Sequence, residues 1–305
     1  MEVIKKMPLE ERKTIGMETL REHVRIILRS GNVENERPLS TLIIAHPERS
    51  KTTETLKLNS AGALVFNDVT AWGIEAELGK LGHIERNLFH HIVIPDMERL
   101  SARGRTVRRE LVSTLQILMQ EGLTRIRTHE TDLKLDPPMQ LGVIMCTTPD
   151  DMKDSKLFRR LSFLSRLIPF SYEFAGAQRS AIMEFIENED HLKRERMDVT
   201  DIGKSKVTIP QALIKRVRFY SSLMTLNIED YSNLKWERVS GKWQRKKIFG
   251  PRKLIGIRSK EEVLCYLKAI ALDNRRNVVT EEDFEEFEML FKHFNFDMNE
   301  LEFVS

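Results

Sequence analysis

Five near-continuous apolar runs lie along the middle of the chain with helical patterns between them: TLIIA (41–45), GALVFN (62–67), HHIVIP (90–95), LGVIMCT (141–147) and LIPFSYEF (167–174). That spacing constrains the fold more than any other feature. A strand with one face in water alternates apolar and polar residues, whereas a strand covered on both faces is apolar throughout. Strands of the second kind separated by helical segments predict an α/β fold, a parallel sheet between two layers of helix. After residue 174 the strands stop. Helical patterns take over in QRSAIMEFIENEDHLKRE, PQALIKRVRFYSSLM, SKEEVLCYLKAIALDNRR and TEEDFEEFEMLFKHF. Ser259 with Glu262, and Thr280 with Asp283, have the spacing of a capping box and so predict two helix starts. METLREHVRIIL, closed by RSGNVENERP, predicts a leader helix. The expected organisation is a helical leader (1–37), a three-layer parallel-sheet core (38–175) and a helical domain (176–305) carrying a basic hairpin at 235–253.

Charge bears on partners. Lys and Arg (49) barely exceed Asp and Glu (46), giving +3, so any nucleic-acid surface must be local. It is concentrated in KWERVSGKWQRKKIFGPRK (235–253), with eight basic residues against one acidic, which leaves the rest of the chain net acidic. The two cysteines, Cys146 and Cys265, sit in apolar runs and read as buried thiols of a reducing compartment. The first residues, MEVIKKMPLEERK, are charged where a signal peptide needs an apolar stretch, and no run of about 18 apolar residues occurs. The expectation is a cytoplasmic protein.

The first strand runs into Ala45-His46-Pro47-Glu48-Arg49-Ser50-Lys51-Thr52. This is the spacing of G-x-x-x-x-G-K-S/T with both glycines replaced. In such a loop backbone N–H groups curl around phosphates, the Lys meets the β/γ-phosphates and the hydroxyl meets Mg²⁺. Glycine supplies positive φ at little cost, whereas Ala or Ser does not. Two readings stay open here: a phosphate loop, or an ordinary strand–loop–helix with a solvated lysine. The HHIVIP strand ends in Asp96, 45 residues after Lys51. A carboxylate there suits a Mg²⁺ ligand beside the loop, and equally a helix cap.

The order of these parts resembles the AAA+ branch of P-loop ATPases, and within it the minichromosome-maintenance helicases and MoxR-type ATPases. AHPERSKT resembles their G-x-P-G-x-A/G-K-S/T loop and retains Pro47, Lys51 and Thr52. VIMCTTP (143–149) resembles the strand whose tip carries the sensor-1 residue, here Thr148. FRRLSFLSRLIPFSYEF (158–174) is similar to the segment with the arginine finger, here Arg166. GIRSKEEVLCYLKAIALDNRRNVVTEEDF (256–284) resembles the lid helix that opens with the sensor-2 arginine, here Arg258. The resemblance implies a P-loop core followed by a lid, ATP and Mg²⁺ as cofactors, Thr52 and Asp96 as metal ligands, and a homo-oligomeric ring. In the family Asp is followed by Glu, which orients the attacking water. Here Met97 follows, and a thioether cannot polarise water. Glu98 stands one residue on, as a substitute or as a solvated helix residue.

Two further segments concern nucleic acid. Thr124–Thr128 alternates polar and apolar and predicts a small hairpin, similar to the family's pre-sensor hairpin, through which Arg125, Arg127 and His129 would meet a phosphate backbone. The same arginines have Glu130 and Asp132 as alternative partners. In 235–253, two alternating segments around Ser-Gly predict a second hairpin. There Trp236 and Trp243, among Lys242, Arg245, Lys246 and Lys247, would offer stacking and phosphate contacts, or the tryptophans would anchor the hairpin to the helices. His90 and His91 lack ligands at metal spacing, so zinc is not expected. The function implied is a divergent, helicase-like AAA+ ATPase acting on nucleic acid, single-stranded DNA being favoured. The alternative is a scaffold of the same fold that has lost ATP hydrolysis.

Overall fold

The computed structural model of the 305-residue chain describes residues 13–58, 63–67, 69–82, 88–97, 103–127, 132–154, 161–174, 176–188, 195, 197, 203–232, 234–240, 242–247 and 254–296. Side chains are described for all but a few of these, among them the strands of the 234–247 hairpin.

Four of the five apolar runs become strands of one parallel sheet much as expected: β1 (Thr41–Ile44), β3 (His91–Ile94), β6 (Gly142–Thr147) and β7 (Ile168–Ser171). The second run yields only the two-residue strand β2 (Leu64–Val65). The order across the sheet is β2-β3-β6-β1-β7, every neighbouring pair is parallel, and β1 lies inside it between β6 and β7. All residues of β1, β3, β6 and β7 are buried. This is why they read as continuous apolar runs, each large side chain contributing about 1.5–3 kcal/mol by leaving water.

Around the sheet lie α1 (Glu18–Ser30), α2 (Lys51–Leu56), α3 (Ala71–Lys80), α4 (Arg105–Met119), α5 (Pro149–Asp154) and α6 (Leu161–Leu164). The strands β4 (Leu123–Arg127) and β5 (Asp132–Met139) form the expected antiparallel hairpin, whose base feeds β6. After β7 come α7 (Gly176–Glu187), α8 (Ile214–Ser232), the hairpin β8 (Leu234–Val239) with β9 (Lys242–Lys247), α9 (Ile257–Asp273) and α10 (Glu281–Phe291). The fold is therefore an α/β unit built on a five-stranded parallel sheet, followed by a helical region with a small hairpin. No described helix is long and apolar enough to cross a membrane.

The capping expectations divide. Thr280 and Asp283 form the reciprocal box at the start of α10. Ser259 does not cap α9. The helix begins at Ile257 behind Gly256 at φ 76, and Ser259 is buried with its hydroxyl 3.0 Å from that of Thr225. A left-handed glycine has moved the start three residues upstream.

The leader helix α1 packs along α9. His23, fully buried, joins them to the sheet: its Nε2 lies 2.8 Å from Thr41 Oγ1 and its Nδ1 2.9 Å from the Tyr266 hydroxyl. Because Thr41 gives its own proton to the carbonyl of Ile168, Nε2 carries the hydrogen and Nδ1 accepts from Tyr266. Burial holds this imidazole neutral, well below its usual pKa. One apolar cluster runs from Met17 to Phe296 through both the sheet and the helical region.

Candidate functional site

β1 is followed by a connection to the far edge of the sheet, whereas β6 is followed by one that crosses β1 to reach β7. The loops leaving the carboxyl ends of β1 and β6 therefore part in opposite directions and open a crevice, the usual ligand position in sheets of this kind. The 45–50 loop follows β1 there, Thr148 follows β6, and Asp96, just past β3, is close enough for its charge to act on Lys51.

The backbone N–H of Ala45 still reaches the carbonyl of Thr147 (3.3 Å), after which the chain turns. Glu48 and Ser50 both stand at positive φ, 62° and 57°. These are the fourth and sixth positions of the loop, and a left-handed conformation costs a non-glycine residue about 1–2 kcal/mol. The backbone thus adopts the conformation that glycine ordinarily supplies, without glycine.

Lys51 opens α2 and turns back over the loop, its ammonium donating to the carbonyls of Ala45 (2.8 Å) and His46 (3.2 Å). It is 9% exposed; burial lowers its pKa, opposed by the charges of Cys146, Asp96 and Asp151. The next residue, Thr52, is exposed in the first turn. The loop is also held from β7. The Tyr172 hydroxyl donates to the carbonyl of Arg49 (2.6 Å), the Arg49 guanidinium pairs with Glu173 and lies 5.2 Å from the centre of the Phe174 ring, and His46 comes within 4.0 Å of Glu173.

Asp96 is half-buried at the end of β3, close enough for its charge to act on Lys51. Met97 is fully buried, with its backbone N–H on the carbonyl of Cys146 (3.1 Å). The position where the resemblance calls for a water-orienting carboxylate is therefore part of the core. Glu98 lies outside the described residues. Thr148 caps α5: Asp151 N–H donates to its hydroxyl (3.2 Å), which donates to the Asp151 carboxylate (2.6 Å), with Pro149 at the first helical position. The Thr-Pro-Asp-Asp sequence carries that signal.

Arg166 and Arg258 come together, but far from Lys51. Arg258 donates to Ser165 Oγ and Gln120 Oε1, both at 2.9 Å, and Arg166 bonds the carbonyl of Ser162. The small pocket they line also includes Arg37, Ser40, Glu261 and Glu262. Ser40 precedes β1 and Ala45 follows it, so the length of a strand, about 15 Å, separates pocket and loop. In one chain they cannot serve the same nucleotide. Arg166 Nε and Glu262 Oε2 are buried without a hydrogen-bond partner among the described residues. Burial, then the neighbouring Arg258, lowers the Arg166 pKa, whereas burial raises the Glu262 carboxyl to about 8 against the pull of Arg258 and Arg37.

Arg125 and Arg127 stand exposed on β4, with Arg125 making two bonds to Asp132 (2.7 and 2.6 Å) and Arg127 4.0 Å from the same carboxylate. Asp132, one of the alternative partners read from the sequence, is present; His129 and Glu130 lie outside the described residues. In the second hairpin, Trp236 is opposite Arg245 and Arg238 opposite Trp243. The register therefore puts both tryptophans, Arg238, Arg245 and Lys247 on one face and Lys246 on the other. No group of three or more potential metal ligands exists among the described residues.

No known protein-family model matches the chain, and no curated protein matches it in sequence. Among solved structures it is similar to a protein provisionally assigned as an ATPase from Cytophaga hutchinsonii. The TM-score is 0.53 at 16% identity, over 93% of this chain and 82% of that one. At this identity the likeness speaks for the fold.

Proposed function

We propose that the chain is a divergent AAA+-type ATPase that holds ATP and Mg²⁺ in the crevice between β1 and β6. The observation that carries this reading is the loop backbone: left-handed conformations at Glu48 and Ser50 lead into Lys51 at the start of a helix, at the switch point of a parallel sheet. The residues fit the cofactor. Lys51 spends its ammonium on loop carbonyls that a phosphate would replace; Thr52 offers an exposed hydroxyl, and Asp96 a nearby carboxylate for the metal. When bound, Mg²⁺ would neutralise charge on the phosphates.

Arg166 and Arg258, a strand's length from Lys51, fit a role on a neighbouring copy's nucleotide, which supports a ring. Thr148 would sense the γ-phosphate, though doing so means giving up its cap to Asp151. The 234–247 hairpin and the β4–β5 hairpin are the proposed nucleic-acid contacts, with single-stranded DNA the favoured partner. The leader, core and lid division at 37/38 and 175/176 belongs to the same reading.

Buried Met97 favours a second reading, a scaffold that keeps the fold and has lost hydrolysis. Equilibrium titration with a fluorescent ATP analogue separates the two. The ATPase reading expects saturable, Mg²⁺-dependent binding that Lys51→Ala weakens at least a hundredfold. Binding indifferent to Lys51→Ala would mean that the crevice is not the site; absence of binding would favour the scaffold.

A further inference from the structure

We propose that Arg49 is a positioning residue: anchored by Tyr172, Glu173 and Phe174, it holds the glycine-free 45–50 loop in the shape that receives phosphate. This inference rests on the loop being the phosphate site, but the anchoring itself can be tested without any nucleotide.

Arg49 sits between the two left-handed residues, Glu48 and Ser50. Neither has an intrinsic preference for that conformation, so a free loop would relax to negative φ and turn its N–H groups away from a common centre. Arg49 is fixed at both ends. Its carbonyl accepts from the Tyr172 hydroxyl at 2.6 Å, while its guanidinium pairs with Glu173 and packs over Phe174, with Nε buried. The anchor is three consecutive residues at the end of β7, a strand whose register against β1 is fixed by Ile44 opposite Ser171. Loop and anchor therefore leave adjacent strands from paired positions, and the contacts between them determine how the loop folds over. Arginine suits the task better than lysine, because a planar fork can pair and stack at once. With its guanidinium committed to the anchor, Arg49 acts through the backbone of its neighbours and not on a ligand.

The test uses the full chain without ligand. Hydrogen exchange at the amides of residues 45–52 should quicken at least tenfold in Arg49→Ala and by less in Tyr172→Phe, with the overall melting midpoint nearly unchanged. Binding of the fluorescent ATP analogue with Mg²⁺ should weaken about tenfold in Arg49→Ala. In a Glu48→Gly/Ser50→Gly background, where the left-handed conformation no longer needs external support, Arg49→Ala should cost less than about twofold. Unchanged loop exchange in both Arg49→Ala and Tyr172→Phe would overturn the proposal. An equal loss of affinity in both backgrounds would overturn it too, by making Arg49 a direct ligand contact. If exchange responds as expected while the wild type binds no nucleotide, the anchor stands and the ATP reading falls.

Discussion

The two edges of the central sheet are built from the same strands and on opposite principles. At the carboxyl edge, charged groups are held by specific partners beside a strained backbone: Lys51 on two carbonyls, Arg49 on Glu173, Thr148 on Asp151, with two non-glycine residues at positive φ. At the amino edge, beside an arginine-rich pocket, several buried groups are held in their neutral form. His91, fully buried, reaches the carbonyl of Leu39 (3.2 Å), His23 bridges Thr41 and Tyr266, and burial raises the carboxyl of Glu262, which sits among arginines, to about 8. The contrast teaches where each edge is vulnerable. The first can exchange its partners for a ligand's oxygens, whereas the second loses stability whenever a neutral group is forced to charge.

Acid is the largest lever on that difference. Burial lowers His91 to about 3 and His23 well below its ordinary value, so below pH 6.5 the unfolded chain binds protons that the folded chain refuses. Each imidazole then costs up to about 2 kcal/mol between pH 6.5 and 5. Glu262 works in reverse. Its raised pKa means that the folded chain holds a proton the unfolded chain has released, a stabilisation present at low pH and lost as pH rises through about 8. Over the same interval it returns up to about 2 kcal/mol. Urea unfolding at pH 6.5 and 5 should show Glu262→Gln losing up to about 2 kcal/mol more than the wild type over that interval. Parallel losses in the two proteins would refute the account of this edge.

Gly142 gives a steric test of the same edge. A Cβ there would stand 2.2 Å from the Leu39 carbonyl oxygen and 2.5 Å from His91 Cδ2, with no room to move either. Gly142→Ala should cost about 3 kcal/mol, read from the denaturant midpoint. The lysine that opens α2 offers the opposite test: in the proposed ATPase reading Lys51→Ala weakens nucleotide binding while removing a buried charge, so its melting midpoint should hold or rise. The smallest effect belongs to the hairpin below β6. Asp132→Asn frees Arg125 and Arg127 and should leave the melting midpoint unchanged, while the salt dependence of single-stranded DNA binding steepens by roughly 0.7 per phosphate gained. An unchanged slope would take β4–β5 out of the nucleic-acid reading.

The strands were legible because burial on both faces leaves a continuous apolar run, a signal independent of what lies across the gap. The Thr280 cap was legible for a similar reason, since its partner is three residues away. What escaped depends on remote contacts. Nothing near Arg49 announces Tyr172, Glu173 and Phe174, more than a hundred residues on, and nothing near α2 announces the cluster of Thr14, Arg21 and Glu195 around Glu54 and Lys57. Ser259 misled because a glycine in a left-handed conformation outranks a motif three residues downstream. Thr148 shows the converse: its capping signal stood in the sequence beside a catalytic reading, and spacing alone does not choose between them.

The position of His23 bears on how the chain can be shortened. Because α1 precedes every strand, a version starting at residue 38 looks like a tidy way to isolate the sheet. It would delete the imidazole that gives a proton to Thr41 and takes one from Tyr266, leaving a buried phenol donor unmet, and would strip the apolar side of α9 that α1 covers. The leader behaves as an interior wall of the building and not as its porch. Any trimmed version meant to stay folded has to keep the chain from Thr14 onward, where the Arg21–Glu54 cluster also begins.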